Sequence, residues 1–210
     1  DYCNKYIEFT ASGNIWNHCH SNIYSGGQNL DEIAKYIKTP LPFLNHMIEH
    51  IAWRASLNIS IDMDFDEFEL CHLVCEDVGM TLGKAVGEYI NINSPSGYGF
   101  ATGLIDEACA DAAISFEDRA QLTFQKSINY CENVEGMPSE ELITFLEGFA
   151  QGARCTLFID LKSGQNGHHI WEAVFRGVGI ALGQALSFDS SREGLTSGVA
   201  GKVEYEVSAE

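Results

Sequence analysis

Twice along this chain a His stands four positions before a Glu. His72 precedes Glu76 in Cys71-His72-Leu73-Val74-Cys75-Glu76, and His168 precedes Glu172 in Gly167-His168-His169-Ile170-Trp171-Glu172. On a helix that spacing sets imidazole and carboxylate on one face, where together they can grip a divalent ion. His169 points roughly 100° away from His168 and can serve a second metal. A lone His-x-x-x-Glu arises by chance on many helices, but these two copies continue in register: Val78 matches Val174, Gly83 matches Gly179, Ala85 matches Ala181 and Gly87 matches Gly183.

The repeat extends upstream with a slightly longer offset. Asn58-Ile59-Ser60-Ile61-Asp62 resembles Thr156-Leu157-Phe158-Ile159-Asp160, Glu49 falls on Glu147, and Ala52 falls on Ala150. His46 then falls on Thr144 and His169 on Leu73, so each half keeps one candidate ligand that the other lacks. Two copies are too few for a solenoid, so one pseudo-symmetric domain is expected, with pseudo-repeats at 1–96 and 97–210. His46 shares a helix face with His50, and that pair alone can form a small site. Cys71 and Cys75 flank His72 as possible thiolate donors, but buried structural thiols are the favoured reading. His18-Cys19-His20 sits in a polar stretch without ligand spacing and is read as incidental.

These residues need elements to hold them. A strand is expected at Lys5–Thr10, a polar loop at Trp16–Gly27, and a short helix capped by Asn29 with the stripe Leu30, Ile33, Ala34 and Ile37. Pro40 and Pro42 admit a helix over Leu44–Ser56; strand Leu57–Met63 and helix His72–Tyr89 follow. After a turn-rich joint at Asn91–Gly97, Leu104–Ala113 reads as helical or mixed, and Ala113–Glu117 with Arg119–Phe124 as a strand pair. Asn129–Ser139 reads as a loop. Helix Glu140–Ala153, strand Thr156–Leu161 and helix His168–Phe188 then repeat the first half, and Ser190–Glu210 reads as an extended tail. The alternation implies an α/β (α+β) fold with helices packed on a mixed sheet, built twice.

With 210 residues, 45% of them hydrophobic, the chain can build a substantial core. A formal charge of -18, from 12 basic and 30 acidic residues, argues against nucleic acid and against an anionic membrane surface. No apolar run reaches membrane-spanning length. Seven cysteines form an odd number without a disulfide framework, which fits a reducing, cytoplasmic location. Asp1 is not an initiator Met, and no signal-peptide pattern follows it.

Four segments resemble the imidazoleglycerol-phosphate dehydratase family, over about Asn4 to Lys202: Pro42-Phe43-Leu44-Asn45-His46-Met47; Glu76-Asp77-Val78 with Leu82-Gly83; Asp106-Glu107-Ala108; and Asn166-Gly167-His168-His169-Ile170-Trp171-Glu172-Ala173. The resemblance implies the family's duplicated fold (ribosomal S5 domain 2-like), a small-molecule substrate, and homo-oligomers with metal sites between subunits. It implies a divalent metal, manganese favoured with zinc or nickel as alternatives, held by His46, His72, Glu76, His168, His169 and Glu172. Leu73 and Thr144 stand where the family has two further ligands. Substrate binding is carried over to Arg119, Arg176 and Ser197. The family's acid/base Glu falls near Tyr2, its histidine before the first motif on Phe68, and a phosphate-binding Arg on Gly99, so no catalytic residue is assigned. The implied function is that of a dehydratase-like lyase on a small hydroxylated substrate, weak or inactive on imidazoleglycerol phosphate. The alternative is a non-catalytic paralogue serving assembly or ligand binding.

Overall fold

The computed structural model describes residues 6–11, 16–25, 36–65, 70–92 and 95–199, with side chains for 36–63, 70–91 and 95–199. The expected Asn29-capped helix, Tyr2, Phe68 and the end of the tail lie outside the described residues.

The first half contains β1 (Tyr6–Ala11), β2 (Trp16–Ser25), β3 (Ile37–Lys38), α1 (Pro42–Ala55), β4 (Leu57–Phe65) and α2 (Cys71–Ile92). The second contains β5 (Tyr98–Ile105), β6 (Ala108–Ser115), β7 (Gln121–Lys126), a small hairpin of β8 (Asn133–Val134) and β9 (Met137–Pro138), α3 (Ser139–Ala153), β10 (Thr156–Ser163) and α4 (Gly167–Leu186). The sheets run β1-β2-β4-β3 and β5-β6-β10-β7. Position for position this is one topology, written twice. In each sheet a hairpin pairs antiparallel with the strand after the first helix, whose other edge takes a short parallel strand.

Even irregular details recur. α1 ends at Ser56 (φ 55°) and α3 at Arg154 (φ 54°), both left-handed, each cap N–H bonding carbonyls of the last helical turn. Non-glycine residues seldom adopt that conformation, so its recurrence at equivalent positions supports the duplication.

The helices lie between the sheets and pair across the halves, α2 with α3 and α1 with α4. Leu57, Ile59 and Ile61 of β4 and Leu157, Ile159 and Leu161 of β10 point into this layer, the alternation expected of a sheet buried on one face. Close helix approach depends on glycine. A Cβ at Gly83 would stand 2.3 Å from the Phe149 carbonyl oxygen, and one at Gly152 would stand 2.1 Å from that of Met80. Among the described residues no helix is long and apolar enough to cross a membrane.

Three expectations are corrected. Trp16–Ser25 is a strand, not a loop: β2 is held on both edges, by β1 and β4. Leu104–Ala113 is not helical but joins β5 to β6 through a turn at Asp106 (φ 44°). Ala110 and Ala112 are small because α4 packs on them, and packing overrides their helix propensity. Finally, β7 pairs in parallel with β10 rather than with the segment before it.

Candidate metal centre

Pro42 at the start of α1 sets the helix, and His46 and His50, one turn apart, face α4. At the start of α4 the side chain of Asn166 accepts the His168 N–H (2.9 Å), fixing the first turn and the direction of both histidines. Three imidazoles converge on one oxygen of Glu172. Its Oε1 lies 2.8 Å from His50 Nε2, 3.1 Å from His46 Nε2 and 3.6 Å from His168 Nε2. Arg176, one turn along α4, donates to the other oxygen, Oε2, at 3.3 Å. The Glu172 side chain is only 8% exposed. Burial raises its proton affinity, but hydrogen bonds and charge from His50, the His46 hydrogen bond and the Arg176 charge together outweigh this and hold the carboxyl below its usual range.

The other faces of these rings are held as well. His168 Nδ1 lies 3.0 Å from Glu135 Oε1, His169 Nδ1 2.9 Å from Glu107 Oε2, and His72 Nδ1 2.9 Å from Glu141 Oε2. His46 Nδ1 has a longer contact with Glu49, 3.5 Å. A carboxylate at Nδ1 orients the ring and leaves Nε2 as the nitrogen turned toward the cluster, the arrangement in which metal-binding histidines are held. The Nε2 atoms of His46, His50 and His168 gather around one oxygen of a buried carboxylate. Imidazole nitrogens and a carboxylate oxygen grouped in this way fit a divalent metal.

The two adjacent histidines diverge as their spacing requires, their ring planes 86° apart. His169 joins Asp106 (3.7 Å) and Glu107 at the β5–β6 turn. Glu107 Oε1 also accepts the backbone N–H groups of Gln165 and Asn166, tying that turn to the start of α4. Chiefly through the Asn166 N–H, and then His169, the Glu107 carboxyl is pulled down to about 2. The Glu107 hydrogen bond raises the affinity of His169 for a proton.

Of the six residues predicted to hold metal, His46, His168 and Glu172 meet in one cluster, and His169 stands in a second with Asp106 and Glu107. His72 and Glu76 belong to neither. His72 is 63% exposed, beside Glu141, and Thr144 Oγ1 donates to the Glu140 carbonyl. Cys75 is buried and its thiol is pushed up by desolvation, which favours the structural reading over a thiolate ligand. Cys109 is half-buried.

Ser197 lies away from both clusters. Its hydroxyl donates to the Phe116 carbonyl in a cleft of about 430 Å³ near the C-terminal ends of α2 and α3. Ser197 adjoins Gly97, whose N–H donates to the Ala185 carbonyl, and from Glu172 to Ala185 α4 rises about 20 Å. Arg119 is exposed, and Arg176 is committed to Glu172 and the Leu104 carbonyl. At Gly99, on which the resemblance sets the family's phosphate-binding Arg, the backbone lies against α4, and a Cβ there would stand 1.9 Å from the Ala181 carbonyl oxygen. The exposed positions beside it hold Tyr98 and Phe100. The His46/His50 pair was expected from its spacing, but its meeting with Glu172, and the orienting Glu107, Glu135 and Glu141, were not.

The family model described as imidazoleglycerol-phosphate dehydratase matches residues 39–182. Proteins of that name from Hydrogenovibrio crunogenus and Stutzerimonas stutzeri are 33% and 35% identical to this chain, over 77% and 79% of it and 83% and 85% of their own lengths. The crystal structure of the Pyrococcus furiosus enzyme in complex with (S)-C348 is 27% identical, with a TM-score of 0.74 over 92% of this chain and 99% of that one. The Staphylococcus aureus enzyme is 26% identical, with a TM-score of 0.71 over 88% and 100%.

Proposed function

The chain belongs to the imidazoleglycerol-phosphate dehydratase family, and from that premise we propose that it is a divergent, divalent-metal-binding member with little or no activity on imidazoleglycerol phosphate. The single observation that carries the metal reading is the convergence of imidazole nitrogens on the buried Glu172, with His168 turned the right way by Glu135. His46, His168 and Glu172 hold one ion. His72, Glu76 and His169 are ligands of a second, which needs donors brought together by assembly. Manganese is favoured, with zinc or nickel as alternatives. When bound, the metal supplies Lewis acidity for loss of water from a small hydroxylated substrate. Glu135, Glu107 and Glu141 keep the ligand tautomers, and Arg176 offsets the charge of Glu172. Arg119 and Ser197 remain candidates for substrate contact. The pseudo-repeats 1–96 and 97–210 act together as one compact domain.

A phosphate dianion needs several cationic donors together, but Arg176 is already engaged, and Tyr98 and Phe100 stand on the exposed side of β5. Tyr2 and Phe68 occupy the positions at which the resemblance expects an acid/base Glu and a His. Each missing group costs about 100-fold. Purified protein supplied with manganese is therefore expected to bind metal by elemental analysis and calorimetry, yet to show negligible dehydration of imidazoleglycerol phosphate. Complementation of a histidine auxotroph by this chain would overturn the second half of that statement.

A non-catalytic role in assembly is favoured by one further observation: Tyr98, Phe100, Leu104 and Phe158 expose an apolar face on the second sheet. A metal that binds the assembled state more tightly drives assembly by mass action. Light scattering is expected to show a homo-oligomer that grows with manganese and shrinks with chelator; a strict monomer indifferent to both refutes the shared second site.

A further inference from the structure

We propose that His50 is an additional protein ligand at the α1–α4 centre, so that a single chain offers His46, His50, His168 and Glu172 to one divalent ion. This rests on the metal reading above and extends it, since His50 belongs to neither His-x-x-x-Glu phrase. Of the three imidazoles, His50 makes the shortest approach to Glu172, and its own side chain is only 15% exposed. The rings of His46 and His50 lie 4.6 Å apart, edge to face, and those of His46 and His168 5.4 Å apart. His46 and His50 lie within hydrogen-bond reach of Glu172 Oε1 and His168 Nε2 lies just beyond it, so three imidazole nitrogens and one carboxylate surround a single point that a small cation can fill.

The internal repeat shows that this ligand is peculiar to one end of the molecule. The counterpart of His50 is Gly148, and a Cβ at Gly148 would stand 2.5 Å from the Glu76 carbonyl oxygen. No side chain fits there. At the α1–α4 end the position is open, and it carries an imidazole aimed at the ligand carboxylate. The half that has Leu73 instead of a second histidine thus contributes a third imidazole to the other centre. Three imidazoles and a carboxylate make a nitrogen-rich set, which suits zinc or nickel better than magnesium or calcium.

The test is calorimetric titration of metal-stripped protein with zinc or nickel, at up to one equivalent, on the wild type and on His50→Gln, His168→Ala and Arg54→Ala. Far-UV circular dichroism in chelator checks folding. His50→Gln is expected to weaken the first equivalent by more than the roughly 10- to 100-fold that losing a ligand's hydrogen-bond partner costs, while Arg54→Ala, at an exposed position one turn along the same helix, leaves it unchanged. If His50→Gln binds as the wild type does while His168→Ala does not bind, His50 is no ligand and the wider metal reading survives. If the wild type itself takes up no metal, that wider reading fails. Should His50→Gln not fold, pulsed EPR of the wild-type chain loaded with one equivalent of copper(II) decides: three coupled imidazoles support the proposal, and two overturn it.

Discussion

The two cross-half helix pairs occupy equivalent places in the fold but differ in geometry. Where Gly83 meets Phe149 in the α2–α3 pair, Gly179 meets Ile51 in α1–α4; where Gly87 meets Ala153, Gly183 meets Ala55. Towards the helix starts the equivalence breaks down. α2 has Gly79, pressed on the Phe145 carbonyl, where α4 has the buried Phe175; α3 has Gly148 where α1 has His50. One pair is closed by backbone contact along its length. The other opens at the end where the histidines gather. At equivalent places in the two halves, larger residues on one helix pair leave room for a polar cluster that the glycine-closed pair cannot hold.

That contrast can be broken most sharply at the carboxylates. Glu172→Gln is expected to lower affinity for the first equivalent of metal by more than about 100-fold, since even an outer partner of a ligand is worth 10- to 100-fold. The counterpart change, Glu76→Gln, should leave that equivalent nearly untouched in the isolated chain; equal losses in calorimetry would mean that the two ends are not different after all.

A smaller effect is expected from the seams. Gly152→Ala forces a methyl group to within 2.1 Å of the Met80 carbonyl, an overpacking that costs about 1–3 kcal/mol. At about 2–4 °C per kcal/mol for a chain of this size, the loss is easily read in a thermal melt. The equivalent residue across the repeat is Arg54, which is exposed, and Arg54→Ala should stay within about 0.5 kcal/mol. The same alanine, placed at both positions, measures how tightly each seam is closed.

The smallest effect is in pH. Burial, the dominant influence, lowers the proton affinity of His50 below the ordinary 6.5, against the pull of Glu172. The folded state then binds fewer protons than the unfolded one, so the contribution of His50 is present above pH 6.5 and is lost as pH falls below it. His169 has the opposite sign: its proton affinity is raised by Glu107, so its contribution is full below 6.5 and fades as pH rises through the folded value. Solvent weakens that second contribution, since His169 and Glu107 stand near the surface. In chelator, His50→Gln should therefore lose less thermal stability than the wild type between pH 7.5 and 5.5. An identical pH dependence would show that His50 does not titrate in this way.

Much of this could be read from residue spacing. The α1, α2, α3 and α4 helices, β4 and β10, and His168 with Glu172 as neighbours follow from periodicity and from the repeat, whereas a place for His46 beside them was implied by the family resemblance. What stayed hidden were contacts without a local rule. Glu135, Glu107 and Glu141 orient histidines 33, 62 and 69 residues away, and no spacing announces such partners. The β5–β6 hairpin was hidden for another reason. Its Ala-rich inner face has the composition of a helix, and only the close passage of α4, which leaves no space for a side chain at Gly99 or Gly103, explains why small residues line a strand. β2 was hidden by its Asn, Ser and His content, which local propensity assigns to turns.

The pairing of α2 with α3 and α1 with α4 also bears on how the chain comes apart. Each half turns a helical face, including the glycine-lined seam, toward the other, and among the described residues it is the other half that covers it. A fragment ending near residue 96 would keep the packing of α2 on β1 and β2 but uncover the face that meets α3, and would lose stability together with that apolar cover. Unfolding is accordingly expected as one cooperative transition rather than two, with secondary structure and the near-ultraviolet signal of Trp171, buried in the second half, disappearing together.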